Sequence, residues 1–227
     1  MELFVDTAAQ YRDFAAHAAG DSPCFEEWAR GVSVDEEVLA QIGTLPPLKQ
    51  QPNLVFAAAR WQGAPAPAPY GVFRSELLSG WPAIRSTALS RSTQTNEVGR
   101  LSTLVPTFAA IQEGERRPLA LLEVGASAGL CLYPDRYRYA WSTSEGLRTT
   151  ASPASAPVLS CAVTGPAPLP SGPPEVGWRA GVDLNPLDVE DDDAVAWLES
   201  LVWPEQDERR SRLRAAVAVA RRDPPQV

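Results

Sequence analysis

The chain has 227 residues, enough for one large domain or two small ones with a substantial core. Its formal net charge of −8 argues against sequence-independent nucleic-acid binding, which needs clustered cations, and gives no hold on an anionic membrane. Three well-separated cysteines (Cys24, Cys131, Cys161), no C-x-x-C and a single His17 support neither a structural zinc site nor a disulfide framework. Reduced thiols in a cytoplasmic protein are the expectation. The opening Met1-Glu2-Leu3 lacks the basic and apolar regions of a signal peptide, and no apolar run approaches the ~20 residues of a membrane span.

To about residue 115 the periodicity is helical. Phe4, Ala8, Tyr11, Phe14, Ala15 and Ala18 fall on one stripe at three-to-four spacing, ended by Gly20-Asp21-Ser22-Pro23. Ser22 caps a second helix with Pro23 at its first position and Glu26 nearby. "SVDEEVLAQIGTL" starts a third, capped by Ser33 or Asp35 and stopped by Pro46-Pro47. "QPNLVFAAARWQ" is apolar nearly all round and therefore buried on most sides. The alternating "GAPAPAPYG" predicts an extended, solvated connector. "VFRSELLSGWPAIRSTAL" and "TNEVGRLSTLVPTFAAIQEGE" read as two more helices, with Thr95 or Asn96 as the second cap and Pro106 as a kink or first-turn residue.

At Pro118 the period changes. "LALLEV" is a short continuous apolar run, as in a strand buried on both faces of a parallel sheet. "RYRYAW" suits an edge or hairpin strand, "PVLSCAVTG" a second strand and Trp178 to Leu184 a third. "DDDAVAWLESLVW" is a helix with acids at its positive end, and "QDERRSRLRAAVAVARR" is the last helix.

The stretch "EVGASAGL" admits two chemistries. Gly125-x-Ser127-x-Gly129 spells the nucleophile elbow of a serine hydrolase, but that elbow needs a later acid and histidine, and no histidine follows Ser127. Glu123-x-Gly125-x-x-x-Gly129 is also a loose form of the acidic glycine-rich loop that follows the first strand of a cofactor domain. Small residues there let a ligand approach the backbone. Such a site needs a carboxylate at the end of a neighbouring strand to hold ribose hydroxyls, and "AGVDLNP" supplies Asp183. Asp183 stands roughly 60 residues past the loop, where a plain βαβ unit would place it ~20 on, so an insertion from Arg136 to Gly177 is required. Pro134 limits any helix after the loop to about one turn.

Five motifs in order, "TQTNEVGR", "PLALLEVGASAGL", "DRYRY", "RAGVDLNPLDV" and "WLESLVWPE", resemble a bacterial family of uncharacterised proteins, domain of unknown function 2332. "SPCFEEWARGV" and "QPNLVFAAAR" extend the likeness over nearly the whole chain. The resemblance implies similarity to S-adenosylmethionine-dependent methyltransferases, without an established substrate. It also implies a chain that continues beyond Val227, so that this sequence is a fragment, a shortened product or one half of a sheet that another chain completes. The "GAPAPAP" region is shorter than the family's.

The expected fold is α/β. A helical subdomain (residues 1–115) precedes an incomplete Rossmann-like, methyltransferase-type parallel sheet with a β insertion (residues 116–227). The expected ligand is S-adenosylmethionine, lined by Gly125, Ala126, Ser127 and Gly129, with Asp183 on the ribose and Glu123 orienting the loop or the amino group. Asn96, Glu97 and Arg100 are expected beside the loop, Arg100 able to meet a ligand carboxylate bidentately. Tyr133, Tyr137, Tyr139 and Trp141 are either hairpin packing or a wall for the adenine. No catalytic base can be named. The alternative is a non-catalytic scaffold binding a partner chain, or a second copy, through an open sheet edge; a hydrolase using Ser127 ranks behind both.

Overall fold

The structure, a computed structural model, describes residues 6–94 and 96–227. Phe4 of the first helical stripe and Thr95 of the expected cap lie outside them. By packing, the chain divides into two units: residues up to 94 with 196–207, and residues 95–195 with 208–227. The expected boundary near 115 rests on periodicity; packing sets the helix before it with the strands. Among the described residues are eight α-helices, a two-stranded parallel sheet and a three-stranded mixed sheet. None of those helices is long and apolar enough to cross a membrane.

The first unit is helical: α1 Thr7–Ala18, α2 Pro23–Val32, α3 Glu36–Ile42, α4 Pro52–Trp61 and α5 Tyr70–Ser90. Ser22 caps α2 as expected, accepting from the Phe25 N–H, while Glu205 takes the Ser22 hydroxyl (2.6 Å) and the Cys24 N–H (2.8 Å). Asp35, not Ser33, caps α3. Ser33 already has helical backbone angles and its hydroxyl donates to the Arg30 carbonyl, whereas Asp35 is extended and accepts from Val38. α4 is buried from Leu54 to Ala59, and Phe56 meets Phe25, Trp28 and Phe73 in an aromatic core where Trp28 and Phe73 stack at 4.2 Å. The Ala-Pro connector is not simply solvated. Trp28 is fully buried and its indole N–H needs an acceptor, which the Ala68 carbonyl provides at 2.7 Å.

The second unit begins with a 3₁₀ turn, Val98–Arg100, that leads into α6 Leu101–Glu115. The cap is Glu97, whose carboxylate accepts from the Gly99 N–H; Asn96 points elsewhere. Pro106 sits inside α6 and has no N–H for the carbonyl of Ser102, one turn earlier. The buried Trp141 indole donates to that carbonyl at 2.8 Å.

β1 Leu119–Val124 pairs in parallel with β5 Val176–Val182, with Leu122 opposite Ala180 and Val124 opposite Val182. Burial of β1 on both faces does not hold. Its residues alternate, and Leu122 and Val124 stay 60% and 81% exposed on the face they share with Trp178 and Val182. A continuous apolar run gives a strand's preference for burial, not the number of layers that cover it.

Between them lies the sheet β3–β2–β4, with β2 Arg138–Thr143 at its centre. β2 forms the expected hairpin with β3 Gly146–Thr149 and pairs in parallel with β4 Val158–Ala162, so it is not an edge. Tyr139 and Trp141 stack on its buried side at 5.6 Å. α7 Asp192–Ser200 and α8 Asp207–Ala220 complete the chain's elements.

Trp141→Phe should lower stability by about 2 kcal/mol, because it strands the Ser102 carbonyl in the interior. Adding Pro106→Ala should recover about half of that by restoring an intrahelical donor. Urea unfolding of the four proteins of this cycle checks both; a strictly additive double mutant contradicts the coupling.

Candidate functional site

The turn after β1 is shaped by three left-handed residues, Gly125 (φ 77°), Ser127 (φ 53°) and Gly129 (φ 65°). At two glycines close approach also matters. A Cβ on Gly181 would stand 2.6 Å from the Ala126 Cβ, and one on Gly129 2.8 Å from the Pro225 ring. The turn continues the sheet: the N–H groups of Gly125 and Ala126 both point at the Val182 carbonyl.

Asp183, the first residue after β5, ties this turn to its own. Its Oδ2 accepts the Ser127 N–H at 2.7 Å and its Oδ1 the Asn185 N–H at 2.8 Å. The Leu187 N–H then donates to the Ser127 carbonyl. Two segments far apart in sequence thus lie side by side at the C-terminal ends of adjacent parallel strands, the end where open α/β sheets bind ligands. Asn96 holds the turn from another side, its amide donating to the Ala126 carbonyl at 2.6 Å.

Glu97 is engaged by α8. Arg209 and Arg212 of α8 hold its two carboxylate oxygens at 2.7 and 2.9 Å. Burial alone would raise its pKa, but the Arg212 hydrogen bond, the Gly99 N–H and both guanidinium charges outweigh it and hold the carboxyl below its ordinary value. Glu123, next to last in β1, is the opposite case. Its Oε2 is buried without a hydrogen-bond partner among the described residues. Burial pushes its pKa up and the Asp183 charge adds to this, while Arg100 pulls it down. Among the described residues Arg100 donates only from Nε, to the Glu97 carbonyl.

Ser127 is buried, and its Oγ has no hydrogen-bond partner among the described residues, so nothing described is placed to take its proton. His17 belongs to α1 in the first unit, edge-on to Trp203 at 6.0 Å. Cys131 lies near Asn96, but burial pushes its thiol up to about 12, which keeps it protonated.

Tyr133, Tyr137, Tyr139 and Trp141 are packing residues. All are buried, and their polar atoms end on backbone carbonyls: Tyr133 on Asp223, Tyr137 on Leu130, Tyr139 on Pro134 and Trp141 on Ser102. Arg179 of β5 lies over the Tyr133 ring at 4.9 Å and grips Asp135 through two hydrogen bonds of 2.9 and 2.8 Å. This pairing and the Arg209–Glu97–Arg212 clamp are missing from the sequence reading. The clamp leaves one trace there, a pair of arginines three residues apart in α8, which share a helix face; the Arg179–Asp135 pairing leaves none.

The family described as "Uncharacterized protein conserved in bacteria (DUF2332)" matches residues 60–227. No curated protein and no solved structure matches the chain.

Glu123→Gln should raise the melting temperature at pH 7. A carboxyl whose folded pKa is raised leaves stability intact below its ordinary 4.5 and erodes it as pH rises through the folded value. The gain should therefore fade below pH ~4, where wild-type Glu123 is neutral too. Glu97→Gln should do the reverse, lowering stability at pH 7 and converging on wild type in acid, since a depressed carboxyl contributes only above its folded pKa. Thermal melts across pH 3–8 read both signs.

Proposed function

The chain belongs to that bacterial family, and we propose that it binds S-adenosylmethionine as a methyltransferase-like protein. In this reading β1 and β5 are part of a Rossmann-like, methyltransferase-type sheet. The observation that carries it is the Ser127 N–H to Asp183 carboxylate bond of 2.7 Å, which sets a side-chain-poor turn beside an acid at the ends of parallel strands. The turn carries no lysine or arginine, which suits a nucleoside without phosphates. Two buried polar atoms, Glu123 Oε2 and Ser127 Oγ, wait beside it without partners among the described residues, as donors or acceptors for a ligand would.

Gly125 would line the nucleoside, and Ala126, Ser127 and Gly129, buried against Gly181, Asp183 and Pro225, would shape the turn that receives it. Asp183 uses one lone pair of each oxygen on the backbone, and the remaining pairs can accept the hydroxyls of a ribose diol. The bound group would supply an activated methyl on sulfur. The chain's own task is then to hold and orient, which positioning alone serves without an acid–base residue.

Calorimetry tests this. S-adenosylhomocysteine should bind wild type saturably, and about tenfold tighter than its 2′-deoxy analogue. That preference should vanish in Asp183→Ala, while thermal melts report separately on the lost loop contacts. Folded wild type that binds neither ligand sinks the reading. A second reading is favoured by the exposed apolar face of Leu122, Val124, Trp178 and Val182: a non-catalytic scaffold docking a partner chain there. A folded, dimeric sample that ignores both nucleosides would support it.

A further inference from the structure

The side that β1 and β5 turn outward is apolar along its length. In register its rows are Ala120 beside Trp178, Leu122 beside Ala180 and Val124 beside Val182, and none of the six side chains is charged. The charged residues between them, Glu123 and Arg179, alternate to the opposite side, where Arg179 grips Asp135. Leu122, Val124, Trp178 and Val182 are each more than half exposed. Contiguous apolar surface of this kind is what another surface covers. Its relief indicates which surface. The large side chains of the first two rows, Trp178 and Leu122, lie on one diagonal, and the small ones, Ala120 and Ala180, on the other. When a second copy is turned over about a twofold axis parallel to the strands, its β1 lies over β5 of the first. Each row then meets itself with the strands exchanged. Trp178 falls on the partner's Ala120, Leu122 on the partner's Ala180 and Val124 on the partner's Val182. Each large side chain meets a small one, the condition for close packing across an isologous contact. Charge points the same way. The chain carries −8, so two copies repel through most of their surfaces, and an uncharged face is where they can approach.

We infer that two copies of this chain associate face to face through these six residues, as the aligned sheets of a β-sandwich do. This rests on the docking reading above and names its partner. It also places the contact on the flat side of the sheet, not on its open edge. A standard interface engages about 20–30 residues a side, and this one centres on six, so the dimer is weak and concentration-dependent.

Sedimentation velocity over a micromolar concentration series tests this on the whole chain, with thermal melts to confirm that each variant folds. Wild type should pass from monomer to dimer. Leu122→Ala leaves a hollow unfilled and Ala180→Leu sets leucine against leucine, so each should weaken the dimer about tenfold. The double variant Leu122→Ala, Ala180→Leu exchanges large and small within the row and should restore the dimer to near wild-type strength. Leu122→Glu, a charge at an exposed position, should abolish it. Wild type that stays monomeric, or single variants that weaken the dimer without rescue by the exchange, overturn the self-pairing and leave a differently shaped chain as the occupant. A dimer that none of these variants changes overturns the face as a docking surface, and the docking reading with it.

Discussion

The second unit depends on one carboxylate. Asp183 follows β5 directly, and by accepting one N–H from its own turn and one from the turn after β1 it locks two strand ends together. A backbone N–H bonded to a carboxylate is stronger than one bonded to a neutral acceptor, and Ser127 needs that help because its φ of 53° is unfavourable for a residue with a Cβ. The acid joins the Asn96 amide and the Val182 and Leu187 backbone groups in holding a shape that exposes Gly125 while burying Ala126 to Leu130.

Around this lock the structure places a second ring of restraints, and they explain much of the polar sequence. Asn96 binds the turn, Glu97 binds α8, and Asp135 binds Arg179 on β5. Each polar group that could have been read as ligand-facing was a candidate for such a restraint. Glu97 went to structure. Glu123 did not: its Oε2 is buried without a hydrogen-bond partner among the described residues, a state more costly than either solvation or pairing. The contrast between two glutamates a short distance apart in the fold is what gives the site its chemical direction.

Helices and strands were legible in the sequence because each carries a local signal: Ser22-Pro23 as a capped start, "LALLEV" as a strand, "DDDAVAWLESL" as a helix with acids at its positive end. The loop and Asp183 were legible as a pair because turn glycines and a strand-end acid have few other uses in combination. What could not be read were pairings decided by tertiary position. The choice of Asp35 over Ser33 as a cap turns on backbone angles. The exposure of Leu122 and Val124 turns on which layers lie over β1. The partnership of Trp141 with the carbonyl that Pro106 leaves free joins two residues whose only common sign is that one lacks a donor and the other has one to spare.

The tie between Ser127 and Asp183 spans 56 residues, and the one between Asn96 and Ala126 spans 30. Closing such spans costs chain entropy that neighbouring contacts must first recover. The turn therefore completes its contacts only when β5 lies on β1 and the 3₁₀ segment lies beside them. A loosened sheet would cost the turn its geometry, because that geometry rests on contacts between segments far apart in the chain.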